Sequence, residues 1–202
     1  MIRFATTLDD LSTIARLIYE TDRIIPYLFG KRQKAIKKIE SLVSRENNIF
    51  SYQNIVVYEP SANNIQGILL AYSPQKKDKQ KENEDYSQAF SILELFALWF
   101  KVLFLKSMEN KSEIDGLYIS NISVDSSARG GGIGTKLISF IEEWASAKEF
   151  TSLWLDVAFD NPKAKKLYEK QGFTVVSERQ ILFSKNGFFR MKKSLKQVKN
   201  ER

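Results

Sequence analysis

The apolar residues of this chain change their period from one segment to the next. Leu8, Leu11, Ile14, Ala15, Leu17 and Ile18 recur at helical spacing. Ile2 to Ala5 ahead of them reads as a short strand, and Thr7, Asp9 and Asp10 are residue types that open a helix. IIPYLFG, 24–30, ends that helix, and 31–44 predicts a second, basic one. SYQNIVVYE (51–59) and IQGILLAYS (65–73) are rich in β-formers and joined by PSANN, the pattern of a hairpin. PQKKDKQKENED, 74–85, has no apolar residue and predicts an exposed, mobile loop. The reverse follows at once: FSILELFALWFKVLFL, 90–105, lies within a helix predicted over 86–108. It is too short to span a bilayer and carries Glu94 and Lys101, so it reads as a helix packed on the domain.

After residue 112 the pattern alternates regularly. A strand runs to Val124, a glycine turn and a helix reach about Lys148, and a strand covers Ser152 to Ala158. A helix over Pro162 to Lys170 comes next, and two further strands finish the chain. No internal repeat or domain boundary interrupts this order. The reading is one α+β (mixed α/β) domain over 1–202 built around a mixed sheet, with the 74–85 loop and the 86–108 helix inserted before a core at 113–195.

Composition narrows the chemistry. Hydrophobic residues are 43% of the 202, enough for a sizeable core. There is no cysteine and no histidine, which excludes thiolate or histidine metal sites, cysteine nucleophiles and Ser-His-Asp catalysis. Acid–base chemistry is left to carboxylates, tyrosine, lysine or water, and no metal is expected. The net charge of +7 suggests nucleic acid until it is located. From Lys185 to Arg202 seven Lys/Arg face one acid, Glu201, so +6 of it lies in the tail and the body is nearly neutral. A second basic patch, KRQKAIKK at 31–38, is local. No nucleic-acid partner and no membrane span are expected. The opening MIRFATTLDDLSTIA lacks a secretory pattern, so a cytoplasmic protein is expected.

The chemistry concentrates in ARGGGIGTKL, 128–137. A helix starts with unpaired N–H groups and the positive end of its dipole, and glycines ahead of it let the backbone curl around an anion. A P-loop would need GxxxxGK[ST], but Thr135 and Lys136 stand in the reverse order. A dinucleotide turn would need a third glycine where Leu137 stands. What remains is Arg129-x-x-Gly132-x-Gly134. About thirty residues on, NPKAKKLYEKQGF supplies Asn161, Ala164, Tyr168, Gly172 and Phe173. Asn161 can cap a helix with Pro162 at its first position, and Gly172 can end it.

The two motifs, in this order and spacing, resemble the [QR]-x-x-G-x-[GA] loop and the N-x-x-A-x-x-x-Y-x-x-x-G-F segment of the GNAT N-acetyltransferase family. The resemblance implies a largely antiparallel sheet of about seven strands, splayed between the fourth and fifth. It implies an acetyl-CoA cosubstrate whose diphosphate sits on Arg129 and the amides of Gly130, Gly131, Gly132, Gly134 and Thr135. Ile122 and Val124 on the fourth strand would meet pantetheine through their backbone, and Asn161 would contact it. Tyr168 would protonate the departing thiolate. Some relatives place a glutamate base at the position of Tyr118; Asp115 and Glu113 lie just upstream. The function implied is acetyl transfer to a primary amine of a small molecule or protein. The alternative is a degenerate member that binds acyl-CoA as a regulatory module. A homodimer fits either. Acceptor specificity would fall to the N-terminal helices, the 86–108 helix and aromatics such as Tyr27, Phe29, Tyr86, Phe90, Trp99 and Phe100.

Overall fold

A computed structural model describes residues 1–21, 24–75, 78–107, 114–180 and 186–195. Seven strands form one sheet in the order β1-β2-β3-β4-β5-β7-β6. They are β1 Ile2–Phe4, β2 Ile55–Tyr58, β3 Gly67–Tyr72, β4 Leu117–Val124, β5 Ser152–Ala158, β6 Thr174–Gln180 and β7 Gly187–Ser194. Every pairing is antiparallel except β4 with β5, as the mixed, largely antiparallel reading required.

Strand alternation distributes the core over two faces. Ile55, Val57, Ile68 and Leu70 point to one side, packed under α1 (Leu11–Tyr19), α2 (Ile24–Phe29) and α3 (Arg32–Val43). Val56, Leu69, Ala71, Leu117 and Ile119 point to the other, against α6 (Ile133–Ala147). Asp10 opens α1, its carboxylate accepting from the Thr13 N–H at 3.0 Å. IIPYLF, expected only to end that helix, forms the short α2 itself.

Two expectations for the insertion are overturned. The stretch 74–85 is not a loop throughout: α4 spans Lys79–Ala89. Asp78 caps it, accepting from the N–H groups of Gln80 and Lys81. Lysine, glutamine and glutamate are good helix formers, and with a cap they need no apolar face to define the helix. Nor is 86–108 one helix. The backbone is extended at Phe90, and α5 begins afresh at Ile92 and runs to Ser107. Ser91 and Glu94 make a capping box across the break: the Ser91 N–H donates to Glu94 at 3.0 Å and the Glu94 N–H to Ser91 Oγ at 3.4 Å.

The outward face of α5 is also unexpected. Its two charged residues on 92–103 turn toward the body. Glu94 meets Lys38 at 2.6 Å, and Lys101 donates to the carbonyls of Tyr27 and Leu28. Leu95 and Leu98 pack against the core beside them, while Ile92, Leu93, Phe96, Trp99, Phe100 and Leu103 turn to solvent. Among the described residues no helix is long and apolar enough to cross a membrane.

Candidate functional site

The parallel pairing of β4 and β5 is brief. It covers Leu117 with Leu153, Tyr118 with Trp154 and Ile119 with Leu155, and then stops. Beyond Ile119, β4 keeps only β3 as neighbour and β5 keeps only β7, so the sheet opens into a gap. The cause is local. Against β3, Ile119 pairs with Ala71 and Asn121 with Leu70, which leaves Ser120 as an extra residue, a β-bulge. A bulge shifts the alternation by one. Ile122 and Val124 therefore share the face of Leu117 and Ile119 although their parity differs. From Ser120 onward, the side of β4 that β5 has left is an unpaired edge.

A cleft of about 460 Å³ occupies this region, between the end of β4, the glycine turn and α7 (Pro162–Lys170). Ile122, Val124, Ala164, Leu167 and Tyr168 give it an apolar wall. Arg129, Gly130, Gly132, Gly134 and Thr135 form its polar end. Lys163 is the second cation, and among the described residues no carboxylate lines it.

The turn is held from behind. Asp125 accepts from the Ser127 N–H and hydroxyl at 3.1 and 2.7 Å and from Arg16 at 2.9 Å. The Ser127 and Arg16 hydrogen bonds hold its carboxyl down at about 2. Arg129 uses Nε on the Val124 carbonyl at 3.1 Å. Its terminal nitrogens have no partner among the described residues, and the side chain is exposed. Gly130 and Gly132 have φ of 87° and 73°, left-handed values that favour glycine, and a Cβ on either would meet nothing within 4 Å. Gly132 is the N-cap of α6. The first bond of that helix runs from the Lys136 N–H to the Gly132 carbonyl, so the N–H groups of Ile133, Gly134 and Thr135 precede it without helical acceptors. Two cations, an open backbone and unspent amides at a helix start are the features a diphosphate requires.

Tyr168 sits on the wall opposite the turn. It is half-buried, its ring edge lies against Phe173 at 6.1 Å, and its hydroxyl has no hydrogen-bond partner among the described residues. Burial pushes the phenol up to about 12. Asn161 does not line the cleft; its side chain caps α7 by accepting from the Ala164 N–H at 3.1 Å.

The model of the acetyltransferase (GNAT) family matches residues 103–173, which takes in the turn, the gap and α7. The chain belongs to the GNAT family. A solved acetyltransferase structure superimposes on this GNAT chain with TM-score 0.68 and 28% identity, covering 97% of it and 100% of that chain. An N-acetyltransferase from Staphylococcus aureus Mu50 has the same fold, with TM-score 0.72 and 24% identity over 95% of this chain and 99% of its own. A Bacillus subtilis protein described as the uncharacterized N-acetyltransferase YobR is 31% identical over 144 residues. That match covers 68% of this chain and 56% of YobR, so the chain spans little more than half of this curated relative.

Not every anticipated residue is gathered in the GNAT cleft. Gly131 lies in the turn but off the lining. Tyr118 and Asp115 stand at the other end of β4. The Tyr118 hydroxyl donates to Asp156 at 3.2 Å, and Asp156 is held in a two-pronged pair by Arg190, both contacts at 2.8 Å. Burial and the Asp156 charge push the Tyr118 phenol well above its ordinary value, so it holds its proton. Asp115 pairs with Lys192 at 3.1 Å and accepts from Trp154 at 3.0 Å. Burial works against its charge, but Lys192 outweighs it and the carboxyl stays below its usual range. Glu113 lies outside the described residues. The proposed acceptor aromatics divide into two groups away from this cleft. Phe29, Phe90 and Tyr86 pack as tilted rings on the core, while Trp99 and Phe100 face outward.

Ala128, Ile133, Lys163 and Leu167 line the cleft without having been singled out. Leu167 had a legible signal: it lies on the helical face of Ala164 and Tyr168. A larger crevice, about 550 Å³, opens at the opposite end of β4, by Leu117, Tyr72 and Trp144. None of the described residues that line it belongs to the glycine turn.

Proposed function

We propose that this protein transfers an acetyl group from acetyl-CoA to a primary amine of a small molecule or protein, by direct attack in a ternary complex. One observation carries the reading: a cation-lined glycine turn at a helix start and an unpartnered tyrosine hydroxyl border the same cleft, at the gap in the sheet. Acetyl-CoA supplies the thioester whose acyl carbon the amine nitrogen attacks. Arg129, Lys163 and the amides of Gly132 to Thr135 hold its diphosphate. The free edge of β4 at Ile122 and Val124 aligns the extended pantetheine as an added strand is aligned. As the carbon–sulfur bond breaks, Tyr168 gives its proton to the thiolate. The nitrogen, which gained the acyl group, loses its extra proton to water.

A phenol at about 12 is fully protonated at neutral pH, which suits an acid and not a base. The burial that raises it also raises the proton affinity of a thiolate placed beside it. No base is assigned: Tyr118 keeps its proton, and a neutral amine held in register needs none. Two results are expected of thiol release across a panel of amines. Tyr168→Phe lowers kcat by roughly 100-fold or more while coenzyme A binding measured by calorimetry is retained. The wild-type rate rises with pH as the acceptor amine deprotonates, and shows no falling limb from Tyr168 below about pH 10. Unchanged turnover in the variant would remove Tyr168 as the acid; absent coenzyme binding would remove the whole reading.

A further inference from the structure

We propose that the outward face of α5 is a self-association surface, packing against the same face of a second copy of this chain about a two-fold axis. Ile92, Leu93, Phe96, Trp99, Phe100 and Leu103 are 48–82% exposed. At about 100° per residue they occupy an arc of roughly 120°, extended by exposed Ala97, and between residues 92 and 103 no polar residue interrupts it. With Leu95 and Leu98 packed on the core behind it, the helix is apolar on two sides. An isolated surface helix places its charges in water; α5 spends Glu94 on Lys38 and Lys101 on the carbonyls of Tyr27 and Leu28. Both charges join Leu95 and Leu98 in docking the helix and leave a second apolar side outermost.

Three features select a second copy as the occupant. The first is spacing. Ile92, Phe96, Trp99 and Leu103 are separated by four, three and four residues, the step of a seam between paired helices. The second is charge. A two-fold axis sets a surface against itself, and over residues 92–103 this one brings no charge against its own copy. A helix bound to an anionic lipid surface would instead keep its cations free along the rim, whereas Lys101, the cation of residues 92–103, points inward. The third is area. Six large side chains at this exposure amount to on the order of 800 Å², one side of a standard interface and more than a monomer ordinarily leaves open. The surface lies on the α2–α3 side of the sheet, away from the cleft at the glycine turn, so association leaves that cleft open.

Sedimentation velocity and light scattering on the full chain test this directly. The wild type should have the mass of two chains at tens of micromolar, and Phe96→Glu and Trp99→Glu should each have the mass of one, 23.3 kDa, with unchanged circular dichroism. Because the chain has no cysteine, Phe96→Cys provides an independent readout. It should cross-link to a dimer under mild oxidation, while Lys148→Cys, at the far end of α6, should not. A wild-type monomer at these concentrations overturns the proposal, as does a dimer that Phe96→Glu leaves intact. Binding of a monomeric wild type to phosphatidylserine vesicles, lost in Phe96→Glu, would also overturn it, assigning the face to lipid.

Discussion

At Gly132 a side chain would meet no atom within 4 Å, yet the backbone there is left-handed, with φ at 73°. At Gly67 the conformation is ordinary, but a Cβ would stand 2.8 Å from Ile133 Cγ2, at the first residue of α6. One glycine lets the turn curl; the other lets the helix that follows lie flat on the sheet. Gly132→Ala should therefore cost about 1–2 kcal/mol in backbone strain and weaken coenzyme A binding directly, since its methyl group enters the open side of the turn. Gly67→Ala should cost about 1–3 kcal/mol from overpacking and weaken binding only by displacing the start of α6. Chemical denaturation with parallel calorimetry separates the two. Equal losses of affinity and stability in both variants would contradict this division of roles. Gly132 is legible in the chain because a motif surrounds it. Gly67 is not, since what crowds it is a residue 66 positions away.

Helix α7 carries Tyr168, and its first turn depends on Asn161, whose side chain accepts from the Ala164 N–H. Removing such a cap typically costs about 1 kcal/mol. Asn161→Ala should lose that much and lower turnover through Tyr168, whereas Asn161→Ser, which keeps a cap acceptor, should recover both; urea titration and thiol release are the measurements. A serine variant that regains stability but not coenzyme affinity would show that Asn161 also touches the ligand. The same logic explains the insertion. The box formed by Ser91 and Glu94 was present in the sequence as S-x-x-E, but the surrounding apolar run concealed it. The charged α4 was obscured in the opposite sense, because a helix capped by Asp78 and made of good formers shows no apolar stripe at all.

Across the whole molecule the gap beside β4 must open without the sheet parting. Asp156, on β5 one residue past the last β4 pair, accepts from Tyr118 on β4 and is gripped by Arg190 on β7. Arg190 is nearly buried, with side-chain exposure of 5%. The cluster ties three strands at the point where two of them separate. Arg190→Met should destabilise the fold by about 3–5 kcal/mol, because it leaves a shielded carboxylate without its cation. Adding Asp156→Leu should restore part of that loss. If the single substitution proves silent in urea denaturation, the tie is not what holds the gap.

The order of the strands, the helices that alternate with them after residue 112, the glycine turn and the capped helix with its tyrosine were determined by the sequence alone. Each depends on residues within a few positions of one another, where backbone geometry leaves few choices. Tertiary structure decided the rest: the bulge at Ser120, the crowding at Gly67, the commitment of Tyr118 and Asp115 to distant partners, and the outward turn of α5. A run such as ILELFALWF reads as apolar whichever way it faces. Its direction was settled by Lys38 and by two carbonyls of α2, groups more than fifty residues away that no local pattern encodes.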